Sequence, residues 1–364
     1  MSLLTQVGKV YDGKAWKGSG MLKKSTGNPE FKWFEDVYGG RYAKVAGAVA
    51  SGGGSADVSG AGTNSAYIFT VGDIVKNART GENVLVTAIT DGNTIAITRS
   101  FGTTAAAAMV SQDGLFIVGN VSEENSGARN TNMTRSSEET NYTQIFKTSI
   151  AVSNTEKEAN LYGGKDLPYL RAKHGTQHAL DIERAFWLGE KNSDTSGTQG
   201  HPRRATGGIL EFINSNNAYV QDQGGILTAP DFNTFLREGF TYGNDTKYLI
   251  CGGKVLQAIN EFARGQIQMR PLEKAYGMQI SEYTTAFGKI NIIHNPLFVE
   301  DYAGYGFLLD MECFKYRNMN NRDTKLLTNV QANDTDGQID QYLSEVGLQR
   351  MQAARCALIK GVEG

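Results

Sequence analysis

Short runs of alternating apolar and polar residues between Tyr67 and Gly119 limit the possible fold more than any other feature of the sequence. Successive side chains of a β-strand point to opposite faces, so strict alternation indicates strands with one buried face. Asp91-Gly92 adds a tight-turn signal between two of these runs. Several short strands so close together predict a small β-barrel or sandwich. The alternating apolar positions are Val84, Val86, Ala88, Ile95 and Ile97.

The segments on either side of this module lack a comparable period. Residues 46–66 are rich in small residues around Gly52-Gly53-Gly54-Ser55, a composition typical of flexible linkers. Residues 1–45 carry aromatic and other apolar residues without a pattern, so we expect an irregular arm that packs onto other surfaces. Residues 120–160 begin polar and become strand-like, which favours an extended hairpin lying on another subunit.

A long helix is predicted from Asp166 to about Asn192. Asp166 is a suitable N-cap, and Pro168 falls in the first turn, where its missing N–H costs nothing. Gly175 weakens the middle of the helix by up to ~1 kcal/mol, so tertiary contacts are expected to support it. At about 1.5 Å per residue the helix would approach about 40 Å. Its apolar face consists of Ala179, Ile182, Ala185, Phe186 and Gly189.

The remainder of the chain predicts an α+β body. Thr228 and Pro230 open a second helix, and Gly252-Gly253 separates a strand from a third. Strands are expected at Tyr248–Cys251, Gln279–Thr284, Ile290–Ile293 and Phe307–Tyr316, and in the tail Ile339–Ile359, with a break near Gly347. With 364 residues the chain is long enough for two or three domains.

Charge and cysteine content exclude several classes of protein. The chain has 36 basic and 38 acidic side chains, without the basic surplus of proteins that grip nucleic acid by its phosphates. Cys251, Cys313 and Cys356 are widely spaced, which favours reduced thiols over a zinc knuckle or a disulfide framework. No apolar run is long enough for a signal peptide or a membrane span, so no membrane association is expected.

Two patterns resemble binding motifs but lack essential parts. His174 and His178 are four residues apart on the long helix, as in helical zinc sites, but no third ligand and no intervening glutamate accompany them. We therefore expect a polar, partly exposed helix face. Gly163-Gly164-Lys165-Asp166 and Gly252-Gly253-Lys254-Val255 precede helices without phosphate-loop spacing, so turns at helix entries are expected.

The carboxylates near the C-terminus do not predict an active site. Asp310, Glu312, Asp340 and Glu345 lie on predicted strands, where alternation would place Asp310 and Glu312 on one solvated face. No histidine is close to them in sequence, and no nucleophile elbow is present. The sequence therefore predicts no enzyme, no catalytic residue, no metal and no cofactor.

Several local stretches are informative together with the order of parts. They are Val71-Gly72-Asp73-Ile74, Asn141-Tyr142-Thr143-Gln144-Ile145-Phe146, Val152-Ser153-Asn154-Thr155, Glu183-Arg184-Ala185 and Tyr342-Leu343-Ser344-Glu345-Val346-Gly347-Leu348. With these stretches, the chain resembles the major capsid proteins of tailed double-stranded DNA bacteriophages, which have the Hong Kong phage-type capsid fold. The similarity is to a subfamily with a β-module in its extended-loop region.

This resemblance implies a domain plan. Residues 1–30 would form an N-terminal arm, and residues 31–165 an extended-loop region with the β-module inserted at about 67–119. Residues 166–364 would form a peripheral domain, with the spine helix at 166–192, and an axial domain. A starting Met directly precedes the arm, so any scaffolding is expected to be a separate protein.

The resemblance also implies a function and partners. The chain would self-assemble in the host cytoplasm, as pentamers and hexamers, into an icosahedral or prolate head. The head would enclose double-stranded DNA without sequence-specific binding, and scaffolding, portal and decoration proteins are possible partners. The residues expected at inter-subunit contacts are Trp33, Phe34, Tyr142, Phe146 and Arg184.

Two other functions remain open at this point. The same fold would suit the shell of a prokaryotic compartment that encloses a cargo enzyme. A carbohydrate- or surface-binding virion protein would act through the β-module and would need exposed aromatic residues there. Alternation favours core positions for the available ones, which are Tyr67, Phe69, Phe101 and Phe116.

Overall fold

The computed structural model of the chain describes residues 21–36, 40–60, 65–128, 136–158, 166–197, 200–216, 218–266, 270–271 and 280–363. The chain divides into two compact units. One contains the described residues up to Trp33 and from Glu139 onward, and the other runs from Phe34 to Glu138. Most of the predicted arm, residues 1–20, lies outside the described residues.

The helices of the described chain are few and mostly short. In chain order they are α1 (Asn154–Glu158), α2 (Asp166–Leu188), α3 (Ile209–Ser215), α4 (Ala229–Gly239) and α5 (Gly253–Gln266). Short 3-10 turns occur at Ser65–Ile68, Glu300–Gly304, Met311–Cys313 and Ala353–Arg355. In the part that the structure describes, no helix is both long and apolar enough to cross a membrane.

Strands make up most of the regular structure. From the start to the middle of the chain they are β1 (Leu22–Thr26), β2 (Glu30–Glu35), β3 (Tyr42–Val45), β4 (Ser55–Ser59), β5 (Asp73–Asn77), β6 (Asn83–Ile89), β7 (Thr94–Thr98), β8 (Gly114–Asn120), β9 (Ser137–Tyr142), β10 (Gln144–Ser153), β11 (Asn192–Asp194) and β12 (Arg203–Ala205). The later strands are β13 (Tyr219–Ile226), β14 (Thr246–Cys251), β15 (Arg270–Pro271), β16 (Ile280–Thr284), β17 (Lys289–His294), β18 (Gly306–Leu309), β19 (Phe314–Met319), β20 (Lys325–Leu327), β21 (Gly337–Arg350) and β22 (Ala357–Glu363).

The predicted β-module is a closed barrel with the strand order β3-β4-β7-β6-β5-β8. Its core is filled by the alternating apolar residues, including Val84, Val86 and Ile95. The barrel begins earlier than the alternation suggested, because β3 and β4 precede residue 67. The prediction of a flexible linker at residues 46–66 was therefore wrong for β4, whereas residues 61–64 lie outside the described residues. In β4 only Ala56 and Val58 face the core, too few to show a period among glycines and serines.

The described part of the predicted irregular arm also forms strands. β1 lies parallel to β19, with Leu22 opposite Lys315, and β2 pairs with β9. The partner strands come from distant parts of the chain, and Phe31 and Trp33 of β2 form a single alternating pair, too short for a sustained period. The prediction of an irregular segment was wrong for these residues.

The spine helix α2 begins at Asp166 as predicted, and it packs against β10 and β21 of a sheet with the order β1-β19-β21-β10. Ile182 and Phe186 are buried in the core beneath it, as expected. The helix ends at Leu188 rather than Asn192, because the chain turns at Gly189. A Cβ at Gly189 would lie 2.6 Å from the carbonyl oxygen of Thr206, so only glycine allows this close approach.

The predicted strand break at Gly347 is absent. β21 runs without interruption from Gly337 to Arg350, and the chain turns only after it, where Gln352 has a φ of 51°. A Cβ at Gly347 would lie 2.5 Å from the carbonyl oxygen of Tyr142 and 2.8 Å from the ring of Phe31. The glycine therefore serves close packing inside the strand.

A second, mixed sheet has the order β13-β22-β18-β14-β17-β16-β15, with β14 parallel to β17 and antiparallel to β18. α4 and α5 contribute to the core on this sheet through residues such as Phe235 and Ile259. The helix start predicted at Thr228 is confirmed, because its side chain accepts a hydrogen bond from the N–H of Asp231. Helices and sheets together give the predicted α+β class with an inserted all-β module.

Candidate inter-subunit surfaces

The five predicted contact residues differ in how accessible they are. On β2, alternation buries Phe31 and Trp33, whose rings stack with centroids 5.9 Å apart, and leaves Phe34 70% exposed. Phe146 is buried in the core with α2. The structure therefore buries Trp33 and Phe146 within this chain.

The other two residues remain accessible. Arg184 is exposed on α2 and forms an ion pair with Asp181 at 3.4 Å, one turn away. Tyr142 is half-buried, with the ammonium group of Lys191 5.6 Å from its ring centroid. Phe34, Tyr142 and Arg184 thus remain candidates for contact with another subunit.

Asn141 fixes the end of β9 on the body of the chain. Its side chain is completely buried; the carbonyl oxygen accepts from the N–H of Gly207 at 2.9 Å, and the amide donates to the carbonyl oxygen of Leu348 at 2.6 Å. The same amide donates to the carbonyl oxygen of Gly207 at 3.1 Å. Since both functional groups of the amide are satisfied, Asn141 holds β9 against β21 and the turn before α3.

The two histidines of the spine helix do not form a metal site. His178 is 1% exposed and lies between the hydroxyls of Thr148, 2.9 Å from Nδ1, and Ser344, 2.7 Å from Nε2. Ser344 in turn contacts the hydroxyl of Thr324 at 2.8 Å, so both ring nitrogens of His178 have a hydroxyl partner that can donate or accept. Burial lowers the pKa of His178, and the charge of Asp181 only partly opposes this shift.

The expectation of a polar, partly exposed helix face was wrong for His178, because its partners come from β10 and β21, far away in sequence. Among the residues that the structure describes, no group of three His, Cys, Asp or Glu side chains is arranged to hold a metal ion.

The carboxylates on β21 are structural. Asp340 is completely buried and accepts from Arg171 of α2 at 2.7 Å. Burial raises the pKa of Asp340, but its hydrogen bonds to Arg171, Gln338 and the N–H of Asn329 outweigh this effect and lower it. Glu345 is likewise paired with Arg322. Both carboxylates are engaged by arginine side chains, which gives each of them a structural role.

Gly175 brings the helix close to β21. A Cβ at this position would lie 3.0 Å from the hydroxyl of Tyr342, which donates to the carbonyl oxygen of Arg171 at 3.0 Å. The tertiary support that was expected for the weak middle of the helix is present in this contact.

Asp310 and Glu312 do not share a solvated face. The chain forms a 3-10 turn here, and the buried Asp310 caps it by accepting from the N–H of Glu312 at 3.2 Å. Asp310 also pairs with Arg355, whereas the side chain of Glu312 is 71% exposed. The prediction was wrong because a period of two residues does not apply across a turn.

Lys247, beside this turn, is a buried cation that sequence reasoning missed. Its side chain is completely buried, and its ammonium group donates to the carbonyl oxygens of Gly239, Tyr242 and Arg355 at 2.6, 2.7 and 2.6 Å. Burial lowers the pKa of Lys247, while Cys356 and Asp310 oppose this shift. A lysine in a strand is usually exposed, so no local signal marked it.

The cysteines are free and buried, as expected for reduced thiols. Burial raises the pKa of Cys251 to about 12, so this thiol is not a nucleophile near neutral pH. The predicted helix entry at Gly252 is also confirmed, because α5 begins at Gly253. The other glycine motif, Gly163-Gly164-Lys165-Asp166, lies almost entirely outside the described residues.

The barrel exposes more aromatic surface than its alternation suggested. Tyr67, Phe116 and Phe101 are 55%, 47% and 36% exposed, and only Phe69 is in the core. Phe116 packs against the neighbouring Tyr42 with ring centroids 4.6 Å apart. The expectation that all four predicted aromatics are core residues was wrong for three of them.

Comparisons with known proteins assign the chain to a family. The chain matches the family model described as SU10 major capsid protein over residues 17–363. It is 23% identical over 323 residues to the major capsid protein of Pseudomonas phage PaMx41, covering 81% of this chain and 76% of that protein.

Solved capsid, phage and encapsulin structures are similar to the chain at low identity. The capsid of a native GTA particle has a TM-score of 0.46 at 12% identity, covering 67% of this chain and 81% of that one. Mycobacterium phage Patience has a TM-score of 0.44 at 10% identity, covering 67% and 77%. The holo-SrpI encapsulin complex from Synechococcus elongatus PCC 7942 has a TM-score of 0.44 at 12% identity, covering 64% and 77%.

The family match includes all of the described residues, in both compact units. It confirms the resemblance to phage major capsid proteins and, with it, a structural rather than enzymatic role in the virion. The chain belongs to the SU10 major capsid protein family and forms the shell of a phage head.

Proposed function

We propose that the chain builds this homo-oligomeric head from pentamers and hexamers in which the extended-loop region, residues 31–165, lies on neighbouring subunits. The observation that supports this arrangement is the ribbon formed by β2 and β9, a sheet of two strands. A two-stranded ribbon is marginally stable alone and has two unpaired edges. Phe34, at 70% exposure, adds apolar surface to it.

The same proposal assigns the domains. The peripheral domain would contain α2 and the sheet β1-β19-β21-β10, and the axial domain the sheet β13-β22-β18-β14-β17-β16-β15 with α4 and α5. The nearly balanced charge, 36 basic against 38 acidic residues, supports enclosure of double-stranded DNA without sequence-specific binding. Scaffolding, portal and decoration proteins would be separate partners, and assembly would take place in the host cytoplasm.

Replacement of Phe34 by Asp tests the role of the ribbon. Because this side chain is exposed, the charge should leave the melting temperature of the unassembled chain unchanged. The yield of shells should fall at least about tenfold, since the charge would be buried without a partner in the interface. Electron microscopy and sedimentation measure the yield. The matched control is Tyr242→Asp, at 61% exposure in another part of the chain. Normal assembly of Phe34→Asp would contradict this role of the ribbon.

A second role, binding of a carbohydrate or a surface by the barrel, is favoured by the exposed pair Tyr42 and Phe116. Aromatic faces stack on sugar rings, and both side chains lie on one outer face, opposite each other on β3 and β8. Assembled heads should then bind immobilised host-surface polysaccharide, and Phe116→Ala should weaken that binding without reducing shell yield. If wild-type heads and Phe116→Ala heads bind the polysaccharide equally well, Tyr42 and Phe116 do not form a carbohydrate-binding site.

A further inference from the structure

A polar groove of about 610 Å³ lies beside the turn between β1 and β2. Tyr142, Ser193 and Arg204 line it from β9, β11 and β12, and Phe31 and Arg317 from β2 and β19. All of these residues belong to the same compact unit.

The groove carries an excess of positive charge. Three cationic side chains, Lys32, Arg204 and Arg317, line it together with a single carboxylate, that of Glu30. The ammonium group of Lys191 lies nearby, over the ring of Tyr142. This local excess contrasts with the nearly neutral chain as a whole.

Arg317 is the unusual member of this set, because it is a buried charge without a counter-ion. It is 8% exposed, and its Nε donates to the side-chain oxygen of Gln349 at 2.7 Å. One terminal nitrogen reaches the carbonyl oxygen of Ser25 at 3.4 Å, and the guanidinium lies 5.7 Å from the ring centroid of Phe31. Both hydrogen-bond partners are neutral, and Arg317 has no ion pair with any carboxylate in the described chain.

A buried cation without a counter-ion is costly, and an anion that enters the groove would remove this cost. Arg204 reinforces the site, since it also has no ion pair among the described residues. Guanidinium groups bind carboxylates in a fork-like, bidentate geometry. The groove is therefore suited to carboxylate side chains.

A matching segment is present in the same chain. All eight residues from 121 to 128 are exposed, and they include the adjacent carboxylates of Glu123 and Glu124. Neither glutamate has an ion pair within the part of the chain that the structure describes. The segment follows β8 and lies in the extended-loop region, which would rest on a neighbouring subunit.

We propose that the groove around Arg317 and Arg204 binds the carboxylates of Glu123 and Glu124 from a second copy of the chain. The proposal rests on the proposed function and adds the anchoring site for one part of the extended loop. Assembly would then depend on ionic strength, because part of the contact is between charges.

Charge exchange tests this pairing. Arg204→Glu and the double variant Glu123→Lys/Glu124→Lys should each lower the yield of shells at least about tenfold, because like charges would meet in the interface. The chain that combines all three substitutions should recover to within about twofold of the wild type. Arg237→Glu is the matched control, since its side chain is 61% exposed on α4, and it should assemble normally.

Cross-linking provides a second readout that does not depend on yield. Chains carrying Ser193→Cys are mixed with chains carrying Glu124→Cys, assembled, and oxidised with copper-phenanthroline and oxygen. Disulfide-linked dimers should form: two thiols lose their protons, and the oxidant accepts the two electrons. Either variant alone should remain uncross-linked, since the three native cysteines are buried. The product would place the two surfaces in contact between copies.

The outcomes separate this proposal from the proposed function. If both charge variants assemble as well as the wild type, the groove is not the anchor. The same conclusion follows if the combined chain fails to recover assembly although all variants have the same melting temperature. If Arg204→Glu reduces only DNA retention in intact heads, the groove binds nucleic acid and the proposal is overturned. A wild-type chain that never assembles would contradict the proposed function itself.

Discussion

At the scale of single residues, the burial of polar side chains is the feature that the sequence predicted least well. The partners of His178 come from two distant strands. Lys247, of a residue type that is usually exposed, is enclosed by two nearby carbonyl oxygens, of Gly239 and Tyr242, and one distant one, of Arg355. Arg355 lies 108 residues from Lys247, so no local pattern can connect them. By contrast, Asp166, Thr228 and Gly253 were predictable as helix starts, because capping depends on adjacent residues.

His178 predicts a specific pH dependence of stability. Burial holds its folded-state pKa below the ordinary value of about 6.5, so the unfolded chain takes up a proton that the folded chain does not. This contribution to the free energy of unfolding should therefore be present above pH 6.5 and decline as the pH falls below it. Thermal melting of wild type and His178→Gln between pH 7.5 and 5 measures the difference.

The wild type should lose stability more steeply than His178→Gln over this range. His294→Gln is the control, since His294 is exposed, and it should follow the wild-type slope. Identical slopes for all three chains would show that the buried imidazole has no such role.

At the scale of elements, the strength of the local pattern decided what could be predicted. The alternating strands of the barrel and the spine helix α2 were recognised from their own residues. β1, β2 and β4 were not, because strands this short show at most one alternating pair of buried residues and depend on partners elsewhere in the chain. Gly347 was misread for the same reason, since its close neighbours, Phe31 and Tyr142, come from β2 and β9.

The barrel should fold when residues 40–121 are produced alone, because it is closed and has its own core.

The buried carboxylate of Asp113 should stabilise the barrel. The hydrogen bond from the guanidinium of Arg79 is the main reason that the pKa of Asp113 falls to about 2. Burial opposes this shift, and hydrogen bonds from the N–H of Val110 and the amide of Asn77 add to it. Asp113→Asn should therefore cost up to roughly 2 kcal/mol at pH 7.

The sign of the pH effect follows from the lowered pKa. The stabilisation is present above the ordinary pKa of about 4 and is lost as the pH falls towards 2, so wild type and Asp113→Asn should converge there. Circular dichroism of the isolated barrel during thermal unfolding measures this convergence. Asp57→Asn, at an exposed position, should stay close to the wild type throughout. An equal difference at pH 7 and pH 2 would exclude the ionised Asp113 as its source.

At the scale of the whole molecule, chain length and the patterns of helices and strands predicted only an α+β chain of two or three domains. The function came from the order of parts, because arm, extended loop, spine helix and α+β body occur together in phage head proteins. Among the residues that the structure describes, three features favour assembly: a two-stranded ribbon with unpaired edges, an exposed Phe34, and a groove in which Arg317 has no ion pair. Each of these features is better satisfied by a second copy than by water.

Negative-stain electron microscopy of the purified chain, expressed alone and then at raised salt, tests the capsid assignment most directly. The account predicts shells, tubes or rings of five and six subunits, because the unpaired surfaces are expected to be completed by other copies. A chain that remains monomeric under both conditions, and also with added scaffolding protein or a crowding agent, would contradict it.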